Sequence, residues 1–140
     1  MSDQVLFVGV TNSCRSQMAE ALLRRHANGR FEVQSAGLKP TEIHPLTYRV
    51  MAEVGIDLSG HHPKGFREFF RANFSPRFAI IFGDADEPDC PKVFPGALQV
   101  LRWPFANPAQ ATEDEAERLQ VFRQVRDGID QRIRQWLEEI

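Results

Sequence analysis

Two uninterrupted apolar runs, at residues 5–8 and 78–82, limit the possible folds of this chain more than any other feature. A strand with one exposed face alternates apolar and polar side chains, whereas a strand covered on both faces is apolar throughout. Both runs are too short for an ordinary helix. We therefore expect two strands in the interior of a parallel sheet.

Helix and strand patterns alternate between and around these runs. Helices are predicted from residue 14 to Gly29, from His44 to Gly55 and, briefly, around Phe69, and further strands at residues 31–35 and 98–101. The last helix is predicted by apolar residues at a near-3.6 spacing: Leu119, Phe122, Val125, Ile129, Ile133, Trp136 and Ile140. Thr112 and Glu115 are predicted to form its capping box. This alternation indicates one α/β domain with a mostly parallel sheet and helices on both faces.

Composition and charge exclude several classes of function. The chain has 140 residues, 42% of them hydrophobic, and a net charge of -2, which gives no electrostatic reason to expect a nucleic acid partner. No apolar run approaches the length of a membrane span, and the N-terminus lacks the features of a signal peptide, so a cytoplasmic location is predicted. The four histidines have no ligand-like spacing, and we expect neither a metal nor a cofactor.

The turn after the first predicted strand is the first candidate site. Ligands of parallel sheets bind at the carboxyl ends of strands, and the N–H groups at a helix start can hold an anion. Asn12 and Ser13 are candidate N-caps. Arg15 opposes the helix dipole in the first turn, yet its guanidinium could hold a tetrahedral oxyanion bidentately. The pattern alone leaves an ordinary capped helix and an anion site as alternatives.

Residues 8–20, Val-Gly-Val-Thr-Asn-Ser-Cys-Arg-Ser-Gln-Met-Ala-Glu, resemble the signature of the low-molecular-weight protein tyrosine phosphatase family, especially its thioredoxin-coupled arsenate reductase branch. Residues 43–46, 51–53, 55–61, 90–91 and 94–96, Trp103, Pro108 and the last helix are similar to that branch too. The resemblance implies one domain over residues 1–140, with a four-stranded parallel sheet in a flavodoxin-like arrangement. It also implies an anion-binding loop made of Val10, Thr11, Asn12, Ser13, Cys14, Arg15 and Ser16, in which Asn12 and Ser16 brace the backbone.

Several positions depart from the pattern of that family. The resemblance places the nucleophilic cysteine at Gly9, the general acid at Asn107 and the first of two later redox cysteines at Gly83, so that only Cys90 remains. Glycine cannot attack an oxyanion, and an amide cannot protonate a leaving group. The flexible glycine of the family's loop is Thr11, a β-branched residue poorly suited to positive φ, which predicts a reshaped loop.

Three functions are compatible with these residues. The leading hypothesis is a relative without activity that binds phosphate, sulfate, an arsenate-like anion or a phosphorylated protein through residues 10–16. The second is an enzyme with redirected chemistry that uses Cys14 or a bound water; the position of Cys14 beside Arg15 would lower its thiol pKa. A redox couple of Cys14 with Cys90 would need Cα atoms within about 7 Å. The third is an interaction module with an inert site.

Overall fold

A computed structural model of the protein describes residues 3–65, 67–71, 74–83, 96–110 and 114–140. Its strands are β1 (Asp3–Gly9), β2 (Phe31–Gly37), β3 (Phe78–Phe82) and β4 (Gln99–Trp103). Its helices are α1 (Arg15–Ala27), α2 (Pro45–Ala52), α3 (Arg67–Arg71) and α4 (Glu115–Glu139), with a short 3-10 turn at Pro108–Gln110. All four strands are parallel, in the order β2-β1-β3-β4. The predicted four-stranded, flavodoxin-like α/β fold is confirmed.

The two apolar runs form the central strands, as predicted. Residues 5–8 of β1 and all five residues of β3 are buried, and β1 pairs with both β2 and β3. β4 lies at one edge of the sheet, and four of its five residues are at least partly exposed. Burial on both faces therefore explains why these two strands show no polar alternation.

The two faces of the sheet are covered unequally. Val5 and Phe7 contribute to a large core that includes residues of α1, α2 and α4. Leu6 and Val8 point to the opposite face, where a smaller cluster packs against Phe69 of α3 and a few neighbouring side chains. Helices thus cover both faces, but three of the four described helices lie on one side.

α4 confirms the predicted apolar stripe and corrects its cap. Its buried residues are Leu119, Phe122, Val125, Arg126, Ile129, Ile133 and Trp136, whereas Ile140 is 43% exposed. The N-cap is Asp114, whose side chain accepts a hydrogen bond from the N–H of Glu117 at 2.9 Å. Thr112 lies outside the described residues, and Glu115 is already the first helical residue. The predicted Thr112–Glu115 box is wrong because Asp114, an equally good cap, lies closer to the helix. No helix in the described ranges is both long and apolar enough to cross a membrane.

Candidate anion-binding site

The chain from Gly9 to Ser16 connects the end of β1 to the start of α1. Together with Asn107 it lines a small depression of about 10 Å³. That volume is about what one water molecule needs and is far below the roughly 300–1,000 Å³ of pockets for drug-sized ligands, so the depression does not enclose a ligand of that size. The structure therefore brings all the sequence-predicted site residues together at the carboxyl end of β1. We call residues 10–16 the anion loop.

The carbonyl groups around the anion loop are turned away from the depression. They accept hydrogen bonds from backbone N–H groups of the segment after β2, with O···N distances of 2.8–3.3 Å, in the pairs Gly9–Leu38, Val10–Lys39, Thr11–Thr41 and Ser13–His44. The carbonyl oxygen of Asn12 accepts instead from Nε2 of Gln17 at 3.1 Å. Because the N–H of a planar trans peptide points opposite to its C=O, this arrangement directs loop N–H groups toward the depression.

Five backbone N–H groups of the anion loop have no partner among the described residues. Within the part of the chain that the structure describes, no hydrogen bond is made by the backbone N–H groups of Thr11, Asn12, Ser13, Cys14 and Ser16. The N-cap of α1 is Cys14, which makes no side-chain capping bond, so the prediction that Asn12 or Ser13 caps the helix is wrong. Uncapped N–H groups at the positive end of a helix favour a bound anion.

Asn12 holds the loop in its turned conformation. Its φ of 55° is in the left-handed region, which gives successive N–H groups the concave arrangement known as a nest. Its Nδ2 donates to Oγ of Ser16 at 2.8 Å and to Oγ of Ser35 at 2.9 Å. Its Oδ1 accepts from Nε2 of Gln17 and from the backbone N–H of Lys64, both at 2.9 Å. The buried amide is therefore fully hydrogen-bonded.

Thr11 does not reshape the loop through a positive φ. The left-handed residue is its neighbour Asn12, and Thr11 is not among the residues with positive φ. Asparagine tolerates this conformation far better than a β-branched residue. The Thr11 hydroxyl lies 2.7 Å from the hydroxyl of Ser13, so it joins the local polar contacts. Thr11 thus avoids the conformation that suits it poorly, and the prediction of a reshaped loop stays untested.

The buried carboxylate of Glu20 stabilises the loop through Ser35. Ser35 donates to Oε1 of Glu20 at 2.9 Å, and Glu20 is only 2% exposed. Nδ1 of His61 lies 3.0 Å from Oε2 of Glu20, and Nζ of Lys64 lies 3.6 Å from Oε1. Burial raises the pKa of Glu20, but the hydrogen bond with His61 and the charge of Lys64 outweigh it, so the pKa is lowered overall. An ionised Glu20 thus anchors the hydroxyl that receives the Asn12 amide.

Arg15 faces the depression from the first turn of α1. It is 5% exposed, and its Nη1 donates to the carbonyl oxygen of Phe105 at 2.7 Å. No acidic residue lies in the first turn of α1. Among the residues that line the depression, Arg15 is the one with a formally charged side chain. A buried cation beside free N–H groups is suited to a negatively charged ligand.

Gly9 and Asn107 lie on the same depression although they are distant in sequence. A Cβ at Gly9 would be 3.4 Å from Oγ of Ser16 and 3.8 Å from its Cβ, which are ordinary contacts. Packing therefore does not require glycine there. Oδ1 of Asn107 accepts a hydrogen bond from the N–H of Ala109 at 3.1 Å and so begins the 3-10 turn.

Cys14 is a buried residue of the anion loop, with 3% exposure. Burial raises the pKa of its thiol, and the hydrogen bonds with Ser13 and Thr47 and the charge of Arg15 only partly offset this. The direction is opposite to the sequence-based expectation, because desolvation of a thiolate outweighs the nearby cation. Cys90 lies outside the described residues, so its distance from Cys14 stays untested.

Other parts of the surface carry fewer signs of a site. A larger depression of about 640 Å³ lies at the opposite end of the sheet, beside the ion pair of Asp3 and Arg77. Parallel sheets bind their ligands at the carboxyl ends of the strands, whereas this depression lies at the amino ends of β1 and β2. Among the described residues, no cluster of three or more His, Cys, Asp or Glu is arranged to hold a metal ion.

Known proteins with similar sequences and structures agree on the fold and the family. Residues 4–81 match the family described as low molecular weight phosphotyrosine protein phosphatase. The arsenate reductase of Shouchella clausii (strain KSM-K16) is 34% identical over 139 residues, which cover 99% of this chain and 98% of the relative. The solved structure titled "An arsenate reductase in the phosphate binding state" has a TM-score of 0.75 and 30% identity, covering 99% of this chain and 98% of that one. Vibrio vulnificus Wzb in complex with benzylphosphonate has a TM-score of 0.76 at 16% identity and full coverage of both chains, which shows a common fold.

Proposed function

The chain belongs to the low molecular weight phosphotyrosine protein phosphatase family, and we propose that it binds a phosphate-like oxyanion in the anion loop without attacking it covalently. The observation that carries this proposal is the orientation of the loop backbone. The carbonyl oxygens of Val10, Thr11 and Ser13 are bonded to the segment after β2, and five backbone N–H groups of the loop make no bond to any described residue. Such a set of donors beside the Arg15 guanidinium is complementary to an anion with several oxygens.

The chemical class of the ligand follows from the hydrogen-bond donors of the loop. N–H groups at a helix start and a planar guanidinium both match the oxygens of phosphate, sulfate and arsenate. Relatives are named arsenate reductases, and one solved relative is in a phosphate binding state. A phosphate group on a protein side chain presents the same oxygens, so a phosphorylated partner belongs to the same class.

The residues that would attack such a ligand are missing from the expected positions. Gly9, where the resemblance places the nucleophile, has no side chain, and Asn107, where it places the acid, has no titratable proton at neutral pH. Cys14 is the described thiol on this depression, but it is buried and its pKa is raised. These observations support binding without turnover and argue against redirected chemistry at Cys14.

Isothermal titration calorimetry with inorganic phosphate, arsenate and sulfate tests the binding half of the proposal. We expect saturable binding by the wild type and a loss of roughly 10- to 100-fold in Arg15→Ala, because hydrogen bonds to a charged group are worth about 1.5–3 kcal/mol. Arg25→Ala is the matched control, since Arg25 is an exposed cation on the same helix. Absence of binding, or equal affinities for wild type and Arg15→Ala, would exclude an oxyanion site and favour an inert interaction module.

Turnover assays test the other half. The wild type should release no phosphate from an aryl phosphate and should not reduce arsenate with a thiol reductant. Cys14→Ser should bind phosphate as the wild type does. Turnover that disappears in Cys14→Ser would instead establish an enzyme that uses this thiol.

A further inference from the structure

Gly128 lies within the longest described helix, at a position where the backbone conformation does not require glycine. It lies in the second half of α4 (Glu115–Glu139) and is not among the glycines with positive φ. Glycine is unfavourable in a helix interior compared with alanine, because it has more backbone freedom to lose. Its presence therefore requires an explanation in the packing around it.

The ring of Phe105 occupies the space that a side chain at this position would take. A Cβ at Gly128 would lie 2.9 Å from Cε1 of Phe105, closer than real Cβ contacts, and 3.7 Å from Cδ1. On the side of the sheet, the same ring lies 6.1 Å from the ring of Phe82, measured between centroids. The N–H of Phe105 donates to the carbonyl of Trp103 at 3.0 Å, which makes a tight turn after β4. Phe105 is thus held between α4 and the end of β3.

The backbone of Phe105 in turn contacts the anion site. Its carbonyl oxygen accepts the hydrogen bond from Nη1 of Arg15, and Asn107, two residues further on, lines the same depression. We infer that Phe105 and Gly128 are positioning residues of the anion site: Gly128 leaves space for the ring, and the seated ring sets the carbonyl that orients the Arg15 guanidinium. This inference rests on the proposed function, since it assigns to these two residues a role in oxyanion binding.

The physical advantage of such a contact is the loss of conformational freedom before the ligand arrives. An arginine side chain has many rotamers, and restricting it on binding costs free energy. A guanidinium already held by a carbonyl avoids part of that cost. On this inference, displacing the ring shifts the Phe105 backbone, and the anion then meets a less ordered Arg15.

Gly128→Ala is the direct test, with inorganic phosphate as the titrant. The added methyl group overlaps the Phe105 ring, and we expect Kd to rise roughly five- to tenfold. Gly60→Ala is the matched control, because a Cβ at Gly60 meets nothing within 4 Å and the residue has no positive φ. Its Kd should equal that of the wild type. Urea unfolding of both variants separates a local effect from a general loss of folded protein.

Two further comparisons show whether the effect passes through Phe105 and Arg15. Phe105→Leu should also weaken phosphate binding, and adding Gly128→Ala to Phe105→Leu should cause no further loss, since the ring edge is gone. In Arg15→Lys, which keeps the charge but not the planar donor, Gly128→Ala should change Kd by less than about twofold. A merely structural role of Gly128 predicts the same loss in every background, which would overturn the inference. Phe105→Leu also keeps the test decisive if Gly128→Ala does not fold.

A measurement without any anion separates this inference from the proposed function. NMR signals of the Arg15 Nη protons should be separate and slowly exchanging in the wild type and Gly60→Ala, and averaged in Gly128→Ala and Phe105→Leu. If the wild type shows these signals but does not bind phosphate, the positioning contact stands and the proposed function fails. If the wild type binds phosphate and Gly128→Ala changes neither Kd nor the Arg15 signals, the inference alone is wrong.

Discussion

Gly9 and Gly37 are paired across the parallel ladder of β1 and β2, yet only Gly9 has room for a side chain. A Cβ at Gly37 would be 2.8 Å from the backbone nitrogen of Asn12 and 2.9 Å from the carbonyl oxygen of Val10. The anion loop therefore packs directly on the backbone of Gly37. At Gly9 the nearest atom would be Oγ of Ser16, at 3.4 Å.

This difference predicts opposite effects of the same substitution. Gly9→Ala should leave the protein as stable or up to about 1 kcal/mol more stable, because alanine reduces the freedom of the unfolded chain. Gly37→Ala should cost about 1–3 kcal/mol, because the loop must move, and it should weaken phosphate binding. Urea unfolding and calorimetry measure both effects. Similar losses of stability in both variants would contradict the described packing.

The room at Gly9 also makes a gain of function testable. Gly9→Cys with Asn107→Asp restores a thiol and a titratable acid on the depression that both positions line. We expect hydrolysis of an aryl phosphate at least about a hundredfold above the background rate measured with the parent, since general acid catalysis alone contributes about 10²–10⁴-fold. Gly9→Ser with Asn107→Asp is the control that lacks the thiol. Lack of activity in a folded Cys–Asp variant would mean that the loop does not present the thiol to the anion.

Asn12 and Asn28 provide a matched pair for the buried amide network. Their φ angles are 55° and 49°, so alanine pays the same conformational cost at both positions. Asn28 is exposed at the end of α1, whereas the Asn12 amide makes four hydrogen bonds. Asn12→Ala should destabilise the protein by about 2–4 kcal/mol more than Asn28→Ala and abolish phosphate binding. Equal free energies of unfolding would show that the network is not stabilising.

Glu20 predicts a specific dependence of stability on pH. Its pKa is lowered in the folded state, so the ionised carboxylate stabilises the native protein above its unfolded-state pKa of about 4.3, and this contribution disappears as the pH falls through the folded-state value. Glu20→Gln should be less stable by about 3 kcal/mol at pH 7, and this gap should begin to narrow as the pH falls below about 4.3. Urea unfolding over this range measures the gap. The exposed Glu32→Gln is the control, and a constant gap for Glu20→Gln would contradict the prediction.

Cys14 should resist alkylation in the folded protein. Its raised pKa and burial both lower the concentration of accessible thiolate. In a Cys90→Ser background, iodoacetamide at pH 8 should label Cys14 at least roughly tenfold more slowly than free cysteine, and unfolding in urea should expose it. Rapid labelling of the folded variant would instead support the hypothesis of a reactive Cys14.

The strands and helices were predictable where the signal was local. Residues 78–82 read as a buried strand because no polar residue interrupts them, and the stripe on α4 follows from a single helical period. The cap of α4 was placed two residues too early because Thr112 and Asp114 both suit the position, and sequence alone cannot rank them.

The anion loop was predictable in its residues and not in its geometry. Arg15 and Asn12 stand out in the sequence, but the bonds that turn the loop carbonyls outward come from residues 38–44, after the next strand. The support from Glu20 and Lys64 was missed too, although a carboxylate among the apolar residues of α1 was an available signal. The pKa of Cys14 was misjudged because the depth of burial is a tertiary property.

The outward carbonyl bonds of the anion loop have a consequence for the speed of ligand capture. Four carbonyl groups of residues 9–13 are bound to the segment after β2 before any ligand is present. A small ion would thus bind to a loop whose conformation is already formed, and no slow rearrangement would separate the first encounter from the final complex. Association would then be limited by diffusion and by the field of the Arg15 charge, so that salt would slow it more than cooling would.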